Sequence, residues 1–375
     1  PPRSTLFPYT TLFRSEESIY YNQRLLSYSD DAMEREENIH YALLQVENPV
    51  NILVISGSLA SFLPEIAKYD PEKVIFIEND PGLIETTSVN ADAFPFSIDI
   101  KTKDAYRYIR ENELKNDAVI LLLPPPSSLA LNRYYTREFF KEVKSGLSPG
   151  GIFMCSPGPA DYYLNKETVY LYSSVYNSLT EVFRSVKPVP GNKLYFVASD
   201  SELSVSYSKM AERKQINNIY VSQDFLSDDL IRMKSDEILS VLDKNVRQNR
   251  SASPIACFYY QSYNLSRNPT AKSIAAIILI VAFALSISVV RRNNILMYFT
   301  ASSLAGFEII ILLILQLTIG NMYQLTGIII AALMTGLAAG SGMKHDLTRI
   351  KVLTFALLLY YLIIEIGRAS CRERV

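Results

Sequence analysis

The chain has 375 residues, 49% of them hydrophobic, and 37 basic side chains against 38 acidic ones leave a formal net charge of −1. That balance argues against a nucleic-acid binder. Three cysteines and two histidines without a metal-ligand spacing supply neither a disulfide framework nor a zinc site.

Charge is unevenly distributed along the chain. From Ser273 to Met343 the only formal charges are Arg291, Arg292 and Glu308, whereas the residues before this stretch mix charged and apolar types as a water-soluble domain does. A soluble domain over 16–265 followed by a membrane domain over 272–366 is expected. The two ends, 1–15 with its near-repeat "STLFPYTTLFRS" and 367–375 with "GRASCRERV", resemble translated sequencing-adaptor sequence. They are set outside the fold, and the remainder is expected to be an internal piece of a longer protein.

In chain order, "NILVIS" (51–56) and "KVIFIE" (73–78) are short, apolar, β-branched runs bounded by polar turns, with a helix-length segment between them. This βαβ unit is followed by a helix after Asp80-Pro81, a strand at "FSIDIKT", a helix in "DAYRYIRENEL" and the strand "DAVILLL". A helix in "TREFFKEVKSGL", the strand "GGIFMCS", a helix near 166–183 and the strand "KLYFVAS" complete the pattern. Strands alternating with helices predict an α/β fold with a parallel, doubly wound sheet.

Such a sheet binds ligands beyond the carboxyl ends of its strands. There the sequence offers Gly57 in "SGSLAS", where a glycine permits close backbone approach to a ligand. Glu78 ends the second strand at the distance at which a carboxylate meets ribose hydroxyls. A solvated strand-end acid is its plainer role. Asp104 opens the helix "DAYRYI", where capping is an alternative role. Further along, "LLLPPPSS" (121–128) stops a buried strand abruptly without any ionisable group.

The stretches "NPVNILVISGSLASFLPEIAKYDPEKVIFIENDPGLIE", "DAYRYIRE", "NDAVILLLPPPSS" and "LNRYYTREFFKEVKSGLSPGGIF" resemble the spermidine synthase (polyamine aminopropyltransferase) family. In particular they resemble its membrane-fused members. The resemblance implies a methyltransferase-like Rossmann fold and binding of decarboxylated S-adenosylmethionine, or S-adenosylmethionine itself, without a metal. It assigns Gly57, Glu78, Asp104 and Ala105 to the cofactor. The family's fourth strand ends in an Asp-x-x-Asp-Pro motif that binds and deprotonates the attacking amine, and the matching positions here are Leu122 and Pro125. Neither can hold an ammonium or accept its proton. Ser56, Ser58 and Ser61 also replace glycines the family carries in its loop. No catalytic residue is therefore assigned. His40 or Tyr41 in "NIHYALL" matches an upstream family stretch loosely, and His40 reads as structural.

Apolar runs at 273–290, 295–319 and 323–343 each approach the length of a membrane span, and a shorter fourth run covers 352–366. "GLAAGSG" (336–342) suits close helix packing, and Glu308 should face a partner or cavity. The positive loops "RRNN" (291–294) and "KHDLTRIK" (344–351) place those segments in the cytoplasm of a bacterial inner membrane and the soluble domain outside, while Arg267 and Lys272 beside the first span favour the opposite side, so both placements stay open. The reading that results is a membrane-anchored, catalytically degenerate spermidine synthase-like protein with the lipid bilayer as partner and polyamine or nucleoside as ligand. An active aminopropyl- or methyltransferase, and a transporter with a regulatory synthase-like domain, are the two alternatives.

Overall fold

The computed structural model describes residues 18–21, 24–28, 31–86, 93–112, 115–159, 165–266, 269–289 and 295–319, with scattered positions between 327 and 336. A short antiparallel pair, β1 (Ser18–Tyr21) and β2 (Arg24–Tyr28), comes first. Helix α1 (Ala32–Leu43) then leads into β3 (Asn51–Ile55), α2 (Leu59–Ala67), β4 (Lys73–Glu78), α3 (Pro81–Thr86), β5 (Ser97–Thr102) and α4 (Ala105–Glu111). After these come β6 (Asn116–Leu121), α5 (Leu129–Asn132), α6 (Arg137–Ser145), β7 (Leu147–Pro159), α7 (Lys166–Thr180), β8 (Ser185–Pro190) and β9 (Lys193–Ser199). Five helices close the described chain: α8 (Tyr207–Arg213), α9 (Asp228–Val241), α10 (Ile255–Ser266), α11 (Pro269–Val289) and α12 (Ile295–Ile319).

Strand alternation decides how the layers form. In β3, Leu53 and Ile55 point to one face of the sheet while Ile52 and Val54 point to the other, and β4, β6 and β7 repeat the pattern. The first face packs against Tyr108 of α4, Phe139 and Phe140 of α6, Leu171 and Val175 of α7, and Tyr260 of α10. The second packs against Ile39 of α1, Leu63 of α2, Met210 of α8 and Ile231 of α9. Strands buried on both sides read as continuous apolar runs, which is why β3, β4 and β6 were legible. Each fully buried aliphatic side chain among them contributes roughly 1.5–3 kcal/mol.

The seven strands lie in the order β5-β4-β3-β6-β7-β9-β8. β3 to β7 are mutually parallel, but β9 runs antiparallel to both β7 and β8. The wholly parallel sheet expected from the sequence is thus corrected to a mixed one, closed by a β8–β9 hairpin. The missed strand β8 contains Pro188 and Pro190. Proline lacks the N–H a central strand needs, so a proline-bearing run survives only at a sheet edge, where β8 lies.

α11 and α12 occupy the first two apolar runs of the sequence. Their side chains are described only in part, and among the described residues no helix is long and apolar enough to cross a membrane. Glu308 lies on α12. The runs 323–343 and 352–366, the glycine-rich stretch 336–342 and the positively charged loops fall wholly or mostly outside the described residues.

Candidate functional site

β3 ends at Ile55, and the chain turns over Ser56 and Gly57, both with positive φ (65° and 96°). Ser56 stands in a left-handed conformation that ordinarily favours glycine. It is held there from two sides: its N–H donates to the Ile77 carbonyl (2.9 Å) and its hydroxyl to Glu78 Oε2 (2.6 Å). At Gly57 a Cβ would come 2.7 Å from Phe62 Cε2, so a side chain there would displace the Phe62 ring and strain the backbone.

Glu78 closes β4 and is 5% exposed. Besides the Ser56 hydroxyl, its carboxylate accepts the N–H groups of Asn79 (2.7 Å) and Asp80 (3.0 Å) through Oε1. Asp104 caps α4 by accepting the Arg107 N–H (2.9 Å), and it also accepts from Arg133 Nη2 (3.0 Å) and the Tyr134 hydroxyl (2.8 Å). Arg133 lies over the rings of Tyr106 and Tyr134. Burial drives the Tyr134 phenol upward, and the charge of Asp104 pushes it the same way. Ala105 is buried in the core behind this group.

A cavity of about 460 Å³ opens beside this loop, within the usual range of a small-molecule site. Its apolar wall is built by Phe62, Leu121, Leu122, Leu123, Pro124 and Pro125, the stretch in which β6 ends. Three prolines offer no N–H, and the carbonyls of Leu123 and Pro124 converge instead on the Tyr135 hydroxyl (2.9 and 3.1 Å), which also meets the Ser156 carbonyl (3.0 Å). Tyr135 is fully buried, so the proline turn rests on a fixed support. Tyr260 of α10 also lines the cavity.

The polar side chains of the cavity come from elements remote in sequence. Glu34 and Asn38 stand one turn apart on α1, and Asn192 and Lys193 follow β8 at the hairpin turn. Lys193 is ion-paired with Glu34, whose other oxygen accepts from Asn192 Nδ2 (3.3 Å), and Asn38 accepts the Tyr195 hydroxyl (2.9 Å). Behind Glu34, Glu37 accepts the Asn192 N–H (2.8 Å), and a Cβ on Gly191 would come 2.6 Å from its carboxylate. Burial, aided by the neighbouring Glu34, lifts the Glu37 carboxyl to about 7 against the pull of the Asn192 hydrogen bond.

Of the four residues assigned to a cofactor, Gly57 alone lines the cavity. Glu78 is joined to the same loop through Ser56, and Asp104 and Ala105 belong to the adjoining Tyr134 cluster. Leu122 and Pro125 both line it, so the positions matched to the family's acid pair face the site as apolar surface. His40 does not line it; it is fully buried between Tyr69 (2.6 Å) and Glu65 (3.0 Å), and burial lowers its pKa. Sequence reading missed Glu34, Asn38, Asn192, Lys193 and Tyr260. The available signal for the first two was their i,i+4 spacing behind the N-cap Asp31. Among the described residues no cluster of histidine, cysteine and carboxylate side chains is arranged to hold a metal.

Residues 32–196 match the spermine/spermidine synthase domain family. The chain carries a spermidine synthase-like domain. Similar curated proteins include a polyamine aminopropyltransferase of Oceanobacillus iheyensis, 28% identical over 216 residues, covering 54% of this chain and 40% of that protein. Another is the thermospermine synthase ACAULIS5 of Arabidopsis thaliana, 31% identical over 199 residues, covering 49% of this chain and 58% of that protein. The chain thus spans about half the length of these relatives. Among solved structures, a spermidine synthase in complex with the transition-state analogue AdoDATO is 19% identical with a TM-score of 0.41, covering 63% of this chain and 75% of that one.

Proposed function

We propose that the spermidine synthase-like domain binds an adenosine-containing ligand of the S-adenosylmethionine type but does not transfer an aminopropyl group to a diamine. The observation that carries this reading is the cavity wall at Leu122 and Pro125. An amine is protonated at neutral pH, and transfer requires a group that holds the ammonium and removes its proton. The carboxylate among the cavity-lining residues is Glu34, and Lys193 already neutralises it.

The binding half of the reading is supported by what the domain keeps. The turn over Ser56 and Gly57 retains a glycine-like backbone despite the serine, and Glu78 remains buried at the strand end with its hydrogen-bond set intact. If a nucleoside lies across β3 and β4, Glu78 is the residue that meets its ribose. Titration of the purified chain with S-adenosylmethionine tests this, with Glu78→Ala as control. Binding that Glu78→Ala weakens roughly tenfold or more supports the reading. Binding indifferent to Glu78, or none, contradicts it.

The same proposal includes a membrane anchor. Ile277, Ile278, Leu279 and Ile280 are 61%, 61%, 70% and 69% exposed on α11, and four consecutive helical residues point in all directions around the axis. A helix apolar on every side has no stable place in water, and lipid is the solvent that suits it. The charge of the loops favours the outer side of a bacterial inner membrane for the domain, whereas Arg267 and Lys272 at the start of the first apolar run favour the side that holds the cell's S-adenosylmethionine.

A further inference from the structure

We infer that the Glu34–Lys193 pair receives the zwitterionic amino-acid end of the ligand, so that the site selects an intact α-amino acid group over its decarboxylated form. The inference rests on the adenosine-ligand reading of the same cavity. Glu34 and Lys193 both line that cavity and are ion-paired with each other, and their side chains remain 21% and 40% exposed. Each is therefore accessible to a ligand while fixed by its neighbours. Asn192 holds the second oxygen of Glu34, and the Asn192 N–H is tied to Glu37 behind it. The hairpin turn is pressed against α1 because Gly191 leaves room for the Glu37 carboxylate.

An ion pair on the wall of an apolar cavity is electrostatically complementary to a second ion pair. An ammonium placed beside Glu34 and a carboxylate beside Lys193 replace each partner's charge with one of the same sign, so the balance of the pair itself is kept, with Asp31 and Glu37 behind it. A ligand carrying only ammonium groups meets an acid already neutralised and a lysine that repels it. The lining thus disfavours the diamine and the decarboxylated ligand for one reason, the positive charge of Lys193. The remaining wall, Phe62 with Leu121 to Pro125, suits the methylene stretch between the sulfur and the amino-acid end.

S-adenosylhomocysteine and its decarboxylated counterpart, S-adenosyl-3-thiopropylamine, test this directly, because they share the nucleoside, the uncharged sulfur and the amine and differ in the α-carboxylate. The full chain, purified in detergent, is titrated with each. Tighter binding of S-adenosylhomocysteine by roughly tenfold or more is expected. Lys193→Met should reduce the preference to less than about threefold by removing the carboxylate's partner, and Lys193→Arg should retain it. Equal binding of the two nucleosides by the unmodified chain overturns the inference and leaves the adenosine reading standing. Binding of neither overturns both. Should Lys193→Met fail to fold, the comparison on the unmodified chain decides alone.

Discussion

The Tyr135 hydroxyl lies 2.9 Å from the carbonyl oxygen of Leu123, and the same hydroxyl meets the carbonyls of Pro124 and Ser156. One proton thus serves three acceptors, and it joins the proline turn after β6 to the end of β7. Tyr135→Phe removes the donor that these part-buried carbonyls share. A loss of about 0.5–1.5 kcal/mol in urea unfolding is expected, the usual net worth of a hydrogen bond. No change would mean that the turn is held by its prolines alone.

Gly57 invites a two-residue test. Gly57→Ala places a Cβ 2.7 Å from the Phe62 ring at a backbone φ of 96°, and the two penalties together should cost about 1–3 kcal/mol. Adding Phe62→Leu relieves the contact and leaves the backbone strain, so the double variant should regain part of the loss. Additive losses in a double-mutant cycle would show that the ring is not the obstacle.

Glu37 gives the fold a specific pH dependence. Burial lifts its carboxyl from 4.5 in the open chain to about 7 in the folded one, so between those values the folded state holds a proton the unfolded state has released. Its contribution to stability must then fall as pH rises from 4.5 to 7 and level off above, by up to about 3 kcal/mol at ~1.4 kcal/mol per unit. Glu65 acts in the opposite sense. Burial pushes it up, but hydrogen bonds and charges from His40 and Lys68 outweigh this and hold it at about 2, so its contribution is present above 4.5 and lost toward pH 2. Buried His40, whose lowered pKa makes stability rise with pH below 6.5, is common to both proteins, so in thermal melts across pH 4.5–7 the stability of the unmodified chain relative to Glu37→Gln should fall as pH rises. Parallel slopes for the two proteins would refute the assignment to Glu37.

What the sequence disclosed and what it hid have physical causes. The strands β3, β4 and β6 are buried on both faces, so their composition alone marks them. β8 escaped because Pro188 and Pro190 break the strand pattern, and only its position at the sheet edge makes them tolerable. The polar half of the cavity was hidden for a different reason. Glu34 and Lys193 are 159 residues apart, and a hairpin whose second strand reverses direction brings them together. Helix α1 itself carries Glu36 and Glu37 fully inside, which no periodicity of apolar residues reveals. Glu36 is satisfied by the N–H groups of Ile219, Tyr220 and Val221, far along the chain. Gly57, Glu78, Asp104 and Ala105 stand at the strand ends and helix start where the sequence put them, and their assignment to a cofactor is a proposal.

The proposed membrane topology rests on loop charge and is open to labelling. A cysteine reporter at Asn293, within "RRNN", should react only from the cytoplasmic side, and one at Asn321 only from the outer side. The reverse pattern would move the domain to the side that holds the cell's S-adenosylmethionine.

The most direct measurement is transfer itself. Purified chain is incubated with decarboxylated S-adenosylmethionine and putrescine, and spermidine is quantified by mass spectrometry. With Leu122 and Pro125 in place of the acid pair, no product above background is expected, since a missing general base alone removes roughly 10²- to 10⁴-fold of rate. Sustained turnover that Glu78→Ala abolishes would contradict the account, because it would show the bound ligand being used by acid–base groups other than the lost pair.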